Sequence, residues 1–539
     1  ASLVLPEEPE ETLALEAEDV RYVFTSHGGG LKQVELTRYR QSVERRSRAR
    51  ALTNNVATLN DSAPVPAFAL LGSAELQGDG AFVLARTTNG VRAEKELTNG
   101  LWVVKEFVPA TNYLLHTRLR IENRGAEPRR VPLQEWVIGT ATPMDAHDVG
   151  TLQGVQWYDG RRAQWVDNNW FANRTLGCLP GTPRSVHVAG QSNVVWAAAH
   201  NRFFALVAIP PTNAPAPQLI ARHIDLPAPT PAELQQDRRA VAKPFGIQTG
   251  LLYPEQTLAP GQALELSFDV FAGPKEYRTL DRLSQRLGNQ LDLVMRFGFG
   301  GFFAKGLLLS MNAIHSVGIS YGLTIIVITI LIKLVFWWPT QASTRSMKRM
   351  QALQPQIKEI QAKYKDTPDK MNRKVMEFMK ENKVNPAAGC LPILIQLPVF
   401  IGFYQMLQSA IELRGASFLW AADLSQPDTV WFLPGLGWPV NPLPLIMGAT
   451  QFWQMKLTPA SPTAAPVQQK IFQYMPLIFL FILYNFSSGW PLYWTVQNLL
   501  TIAQTKLTKT TDAKAAAAPK VGAAKVAITP PRPAKKKKN

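Results

Sequence analysis

Lys333 is the only formal charge between Lys305 and Arg345, and it lies inside an apolar run, Gly322 to Trp338, with the composition of a membrane span. An ionisable group near the middle of a span costs roughly 2.5–3.5 kcal/mol on insertion scales, so it is retained where it faces a bundle interior or a water-filled cavity. The chain must therefore supply a polar interior around this lysine, or let its stem snorkel past Pro339 toward water.

Composition is uneven along the 539 residues. Residues 1 to about 285 read as a soluble domain, residues from about 300 to 507 concentrate the apolar runs, and the last thirty are mostly Ala, Lys and Pro. The net charge of +17 is concentrated in the loop after Lys333 and in the tail, which points to membrane topology before nucleic acid. Cys178 and Cys390 are the only cysteines, which argues against a disulfide framework and a zinc site. The chain opens on Ala1 and an acidic, Pro-containing stretch, so a signal or anchor segment is expected upstream.

Residues 18–272 carry short alternating runs. Leu264, Leu266, Phe268 and Val270 share one face, with Glu265, Ser267 and Asp269 on the other. Tyr113, Leu115, Thr117, Leu119 and Ile121 repeat the pattern and stop at the turn signal Asn123-Arg124-Gly125. Similar segments at Asp19–Phe24, Leu101–Val108, Val131–Ile138, Val194–Ile209 and Leu251–Tyr253 predict an antiparallel sandwich of about 250 residues. Its histidines, His27, His116, His147, His187, His200 and His223, are scattered without a local acid or ligand spacing, so the domain does not read as an enzyme. Gly318-Ile319-Ser320-Tyr321-Gly322 matches a hydrolase motif by letter only, because it opens a span and no histidine follows His315. No phosphate-binding loop is present.

From residue 275 the pattern becomes helical, and Leu307, Leu308, Met311, Ile314 and His315 predict a helix lying in the membrane interface. Five spans are expected near 320–341, 387–411, 439–457, 470–487 and 490–507. The strongly basic segment 345–384 and the tail share the cytoplasmic side by charge. Met350, Leu353, Ile357, Ile360 and Tyr364, then a break at Asp366-Thr367-Pro368-Asp369, then Met371, Val375 and Phe378 predict a helical hairpin closed by one seam. Met347, Met376 and Met379, with Arg349, are expected on its contact surface, where methionines adapt to apolar segments of many sequences.

Thr329 and Lys333 are one helical turn apart, with Thr340 close to the same face. Tyr493, Gln497, Thr501 and Gln504 form a second polar stripe with Asn498 beside it, and Gln396, Gln451 and Gln454 add amides from other spans. Turned inward, these groups would make a hydrophilic pocket with one fixed positive charge; singly, each amide is equally explained as interhelical glue. Lys535, Lys536, Lys537 and Lys538 end the tail and suit either anionic lipid or ribosomal RNA.

The stretch Asn385–Phe400, followed by Ile411-Glu412-Leu413-Arg414, closely resembles the most recognisable part of the YidC/Oxa/Alb membrane protein insertases. Ser346–Gln361 and Gln468–Pro476 through Gly489–Leu500 are similar to that family too, and 18–285 resembles the large periplasmic β-sandwich of its double-membrane bacterial branch. The resemblance implies a linker at 1–17 after a missing anchor, a periplasmic, supersandwich-like antiparallel β-sandwich at 18–285, and connecting and interfacial amphipathic helices at 286–319. An α-helical five-span insertase core at 320–507 would follow, with a cytoplasmic hairpin at 345–384 and a periplasmic loop at 413–438, and then a basic disordered cytoplasmic tail at 508–539.

The same resemblance implies an inner-membrane insertase and chaperone that works without cofactor, catalysis or small-molecule substrate, as a monomer. Its partners would be nascent membrane proteins, the translating ribosome, the Sec translocon and membrane lipids. Its groove would carry Lys333 where the family usually has arginine, with Thr329 one turn earlier. Tyr493 and Trp494 would be the aromatics that meet substrate, Trp494 replacing a frequent tyrosine. A transporter with a periplasmic sugar-binding domain is the alternative; it requires inverted repeats among the spans, and none is visible.

Overall fold

The alternation read in Leu264–Val270 is realised in a long strand, Ala263–Pro274, in which Phe268 and Val270 are buried and Leu264 and Leu266 pack against the same core. It pairs antiparallel with Leu114–Asn123, whose Leu115, Leu119 and Ile121 point into that core while His116 and Arg118 face out. The protein is seen in a computed structural model that describes residues 2–43, 56–174, 179, 181–237, 239–382, 384, 391–435, 437–457 and 466–508. Cys178, Cys390 and Lys535 to Lys538 lie outside the described residues.

Two units divide the chain. The first comprises Ala1–Thr324, Val399–Val430 and Ser487–Gly489, the second Ile325–Pro398, Trp431–Phe486 and Trp490–Asn539.

The first unit is built on a nine-stranded sheet and a five-stranded sheet, accompanied by a four-stranded one, and every pairing among the described strands is antiparallel. Their facing sides share one core: Leu119, Phe268 and Leu206 come from the larger sheet, Trp136, Ile138 and Leu251 from the five-stranded one, and Tyr22 and Phe24 from the third. This is the predicted β-rich domain. Strand Gln134–Ala141 is buried on both faces, because Val137 enters a separate small cluster with Val65, Ala69 and Leu71. Two histidines have acid partners from distant strands and loops: His116 Nδ1 meets Asp269 and His147 Nε2 meets Asp237, each at 2.5 Å. The expectation that no histidine has a local acid is corrected at His147, which has Asp145 and Asp148 beside it in sequence, whereas the cross-strand pair of His116 is beyond any local spacing.

Also in the first unit, Asn201 Oδ1 accepts from the backbone N–H groups of Phe203 and Phe204 at 3.2 and 3.0 Å and shapes the turn that presents Arg202. Helix Leu391–Ser409 ends against it. Arg202 donates to the backbone oxygens of Leu407, Gln408 and Ser425 at 3.4, 3.2 and 3.0 Å. The last carbonyls of a helix lack intrahelical partners and carry its negative dipole end, so a guanidinium is well matched there. Arg414 ties the following loop to the sandwich by donating to the carbonyls of Arg40 and Gln41 at 2.7 and 2.8 Å, its guanidinium over Phe203 and Phe204. Arg202→Ala is expected to cost about 3 kcal/mol, since carbonyls built around a charged donor lose it; thermal unfolding of the purified protein with no shift in midpoint would show that water replaces the guanidinium freely.

The helices of the core and the segment before it are α1 (Tyr277–Leu287), α2 (Gly301–His315), α3 (Tyr321–Val335), α4 (Trp337–Lys363), α5 (Pro368–Glu381), α6 (Leu391–Ser409), α7 (Pro442–Leu457), α8 (Pro466–Leu483) and α9 (Gly489–Leu507). A helical C-terminal core is therefore found, but five separate spans are not legible in it. Among the described residues no single helix is both long and apolar enough to cross a membrane, whereas α3 and α4 together are, bent by 68° at Phe336. The first span was expected to run to residue 341. It breaks earlier because Pro339 cannot donate to the carbonyl of Val335 and its ring crowds that oxygen, while in the first turn of a new helix proline is tolerated.

Helices α4 and α5 pack through a seam of Met350, Leu353, Ile357, Val375, Met379 and Val384. Met379, expected on the contact surface, is 1% exposed and belongs to this seam. It lies four residues after Val375 and so faces the same way. Met376 is exposed, Arg349 is exposed and Met347 half-buried. Arg373, Met376, Glu377, Met379, Lys380 and Val384 line an apolar depression of ≈ 390 Å³ on α5.

Candidate functional site

Helix α9 carries a polar residue at nearly every turn of one face, and the second unit gathers partners for that face from three other helices. Lys333 Nζ, from the last turn of α3, donates to Thr501 Oγ1 at 2.9 Å. Thr501 can accept because its own proton goes to the backbone oxygen of Gln497, one turn earlier, at 2.8 Å. From the same turn Gln497 Nε2 donates to Gln396 Oε1 of α6 at 3.3 Å, and Gln396 Nε2 donates to Tyr493 OH. Five of the eight expected groove residues thus form one hydrogen-bonded line along α9.

Two more expected residues form a second pair. Trp494 Nε1 donates to Gln451 Oε1 of α7 at 2.7 Å, and the Trp494 ring lies 5.5 Å from Phe479 and 6.1 Å from Trp490. The eighth, Thr329, stands apart: its hydroxyl donates to its own helix at Ile325 O, 2.6 Å away, and the side chain is fully buried. A threonine one turn from a lysine shares its face, but back-bonding to the preceding turn uses its only proton.

The sequence stripe also holds groups that bind helices together rather than surround Lys333. Gln504 Nε2 donates to Thr340 Oγ1 at 3.0 Å, and Asn498 Nδ2 to Thr450 Oγ1 at 3.1 Å. Thr450 was not singled out in sequence, since one threonine in an apolar run gives no signal.

Lys333 is 6% exposed and, among the described residues, has no carboxylate within ion-pair distance. Gln497 Oε1 is buried and likewise without a hydrogen-bond partner among the described residues. The site therefore offers one uncompensated ammonium and one unclaimed carbonyl acceptor, with aromatic rings at the other end of the line. It can attract a carboxylate and accept an N–H.

Residues 313–515 match the family described as 60Kd inner membrane protein, and residues 12–309 match the YidC periplasmic domain. The membrane protein insertase YidC of Citrifermentans bemidjiense is 33% identical over 488 residues, covering 89% of this chain and 82% of that protein. The chain belongs to the YidC membrane protein insertase family. YidC of Nitratidesulfovibrio vulgaris strain DP4 is also 33% identical, over 506 residues, with 89% of this chain and 83% of that protein covered. Among solved structures, a crystal structure of an active YidC insertase with its first transmembrane domain resolved aligns over 94% of this chain and 95% of that one, at 17% identity and a TM-score of 0.36.

Family membership makes the β-rich part within residues 12–309 a YidC periplasmic domain and the protein an inner-membrane insertase rather than an enzyme. It displaces the transporter alternative.

Proposed function

We propose that the line from Lys333 to Tyr493 is the surface on which this insertase receives the hydrophilic part of a nascent membrane protein while an apolar segment passes into the bilayer. The uncompensated Lys333 ammonium supports this most directly. Charge is retained inside an apolar helix at a cost, and the structure gives it a hydroxyl rather than a counter-ion. An acidic translocating segment would supply the missing negative charge. Gln497 Oε1 and the Gln396–Tyr493 pair would meet its backbone N–H and C=O groups, which in hydrocarbon have no water to bond. Trp494, held by Gln451, would flank the apolar part.

In this reading α3 with the start of α4, and α6 to α9, are the five spans. The shorter ones are accommodated by tilt and local thinning of the bilayer. The α4–α5 hairpin and the basic tail lie in the cytoplasm. Met347, Arg349 and Met376 meet the emerging chain, and Lys535 to Lys538 contact the ribosome or anionic lipid. The insertase acts as a monomer, alone or beside the Sec translocon, and Thr329, expected in the groove, packs behind its wall.

Photocrosslinkers placed at Thr329, Lys333, Tyr493 and Gln497 should label a ribosome-bound nascent chain. Crosslinks confined to lipid would overturn the proposal.

A further inference from the structure

We propose that the short hairpin formed by Trp431–Phe432 and Pro439–Val440 is a membrane-interface anchor, seated in the lipid headgroup layer at the joined ends of α7 and α8. The inference rests on reading α7 and α8 as membrane-embedded helices. Residues 429–441 carry no formal charge. The strands pair antiparallel, Trp431 opposite Val440 and Phe432 opposite Pro439. The turn is closed by Leu433 N–H to Trp438 O at 2.9 Å and Gly437 N–H to Leu433 O at 3.0 Å. Gly435 and Gly437, at φ +81° and +64°, supply the left-handed backbone this turn needs.

Two residue pairs are too few to hold a hairpin in water by themselves. The foot is therefore clamped: Tyr484 OH donates to Pro439 O at 2.7 Å, and Asn441 Nδ2 donates to Tyr484 O at 2.8 Å and Asn485 Oδ1 at 3.3 Å. Asn441 immediately precedes α7, and Tyr484 immediately follows α8. The foot of the hairpin is thus fixed at the level where both helices end.

On it Trp431 is 56% exposed, Trp438 63% and Leu433 39%. Indole has a large apolar body and a single N–H, which is why tryptophan concentrates at the headgroup level of membrane proteins. A charge-free tip enters that layer without desolvating an ion. Strands of two residues offer too little edge to recruit a partner strand. Continuity with the membrane-embedded helix ends makes lipid the occupant.

The test uses the full chain with Cys178→Ser and Cys390→Ser, reconstituted in phosphatidylcholine and phosphatidylglycerol vesicles. An environment-sensitive fluorophore is placed at Leu433→Cys or, as a control on the exposed face of α7, at Ile446→Cys. The Leu433 label should emit blue-shifted light, lose intensity with nitroxide-bearing lipid and resist aqueous iodide. Trp431→Ser with Trp438→Ser should red-shift that emission and weaken the lipid quenching; an unchanged signal would refute the anchor. Iodide quenching at Leu433 with lipid quenching at Ile446 would overturn the anchor and leave the membrane reading of α7 intact. A Leu433 label shielded from both quenchers would mean protein contact and also overturn it. Iodide access at both positions would remove the anchor together with the reading it rests on.

Discussion

Lys333→Ala is expected to lower insertion of substrates with an acidic translocated segment about ten-fold, a loss of about 1.4 kcal/mol, with no loss of stability. Two unit charges 4 Å apart attract by about 1 kcal/mol in water and about 4 kcal/mol at an effective dielectric of 20. A wet groove lies between these limits, and part of the attraction is returned as desolvation. Stability should hold because Lys333 is a buried charge with no counter-ion among the described residues, and its removal leaves Thr501 still donating to Gln497 O. Lys333→Arg keeps the charge but needs room for a planar fork, so it should recover most acidic-segment insertion while shifting the contact with Thr501. The readout is insertion into proteoliposomes for a substrate pair differing only in tail charge, beside thermal unfolding of each variant. An Ala variant that inserts both substrates as well as the parent protein would exclude Lys333 as an attractor.

How far this site could be read in advance depended on periodicity. The stripe on α9 was visible because Tyr493, Gln497, Thr501 and Gln504 follow helical spacing, and the structure gives each a partner on another helix. The same polar residues lower the hydropathy of α9, so the feature that exposes the site also weakens the apolar signal of the expected span. Thr329 shares the Lys333 face in sequence but spends its proton on Ile325, a choice that spacing does not encode. In the seam of α4 and α5 the row Met371, Val375 and Phe378 stops one residue before Met379, which lies four after Val375 and is buried in the seam, while Phe378 packs only at its edge.

In the β-rich unit, half-buried strands such as Leu114–Asn123 announced themselves by alternation. Gln134–Ala141 did so only weakly, because a strand covered on both faces has no polar side to alternate with. Arg202 and Arg414 were invisible as structural residues. Arg202 meets carbonyls more than 200 positions away, and a loop arginine looks the same whether it caps a helix or faces water.

Lys275→Met should stabilise the β-rich unit by about 2–4 kcal/mol near neutral pH, and the gain should disappear by about pH 10. Lys275 is 5% exposed, and among the described residues it has no carboxylate within ion-pair distance. Burial, and then the positive charges of Arg296 and Arg202, bring its ammonium down from the ordinary 10.5 to about 7. His200 beside it is likewise pushed well down, by burial first and then by the Lys275 charge, so it stays neutral and adds no second positive charge. Between pH 7 and 10.5 the unfolded chain holds a proton on this lysine that the folded chain has released. Unfolding then takes up a proton, and stability rises with pH by about 1.4 kcal/mol per unit across that window. Below it both states are protonated and the full penalty of the buried ammonium is present. Methionine keeps the length of the stem and removes the charge, so the variant gains most at low pH and flattens the profile. Lys105, equally buried, is no model for this site, because its ammonium donates to the carbonyls of Gly28 and Phe68 at 2.6 and 2.9 Å and its removal would orphan both. Unfolding midpoints of the parent and Lys275→Met measured from about pH 6 to 10 separate the cases: a variant that loses stability at pH 6 would mean that the Lys275 ammonium is paired and its charge is favourable in the folded protein.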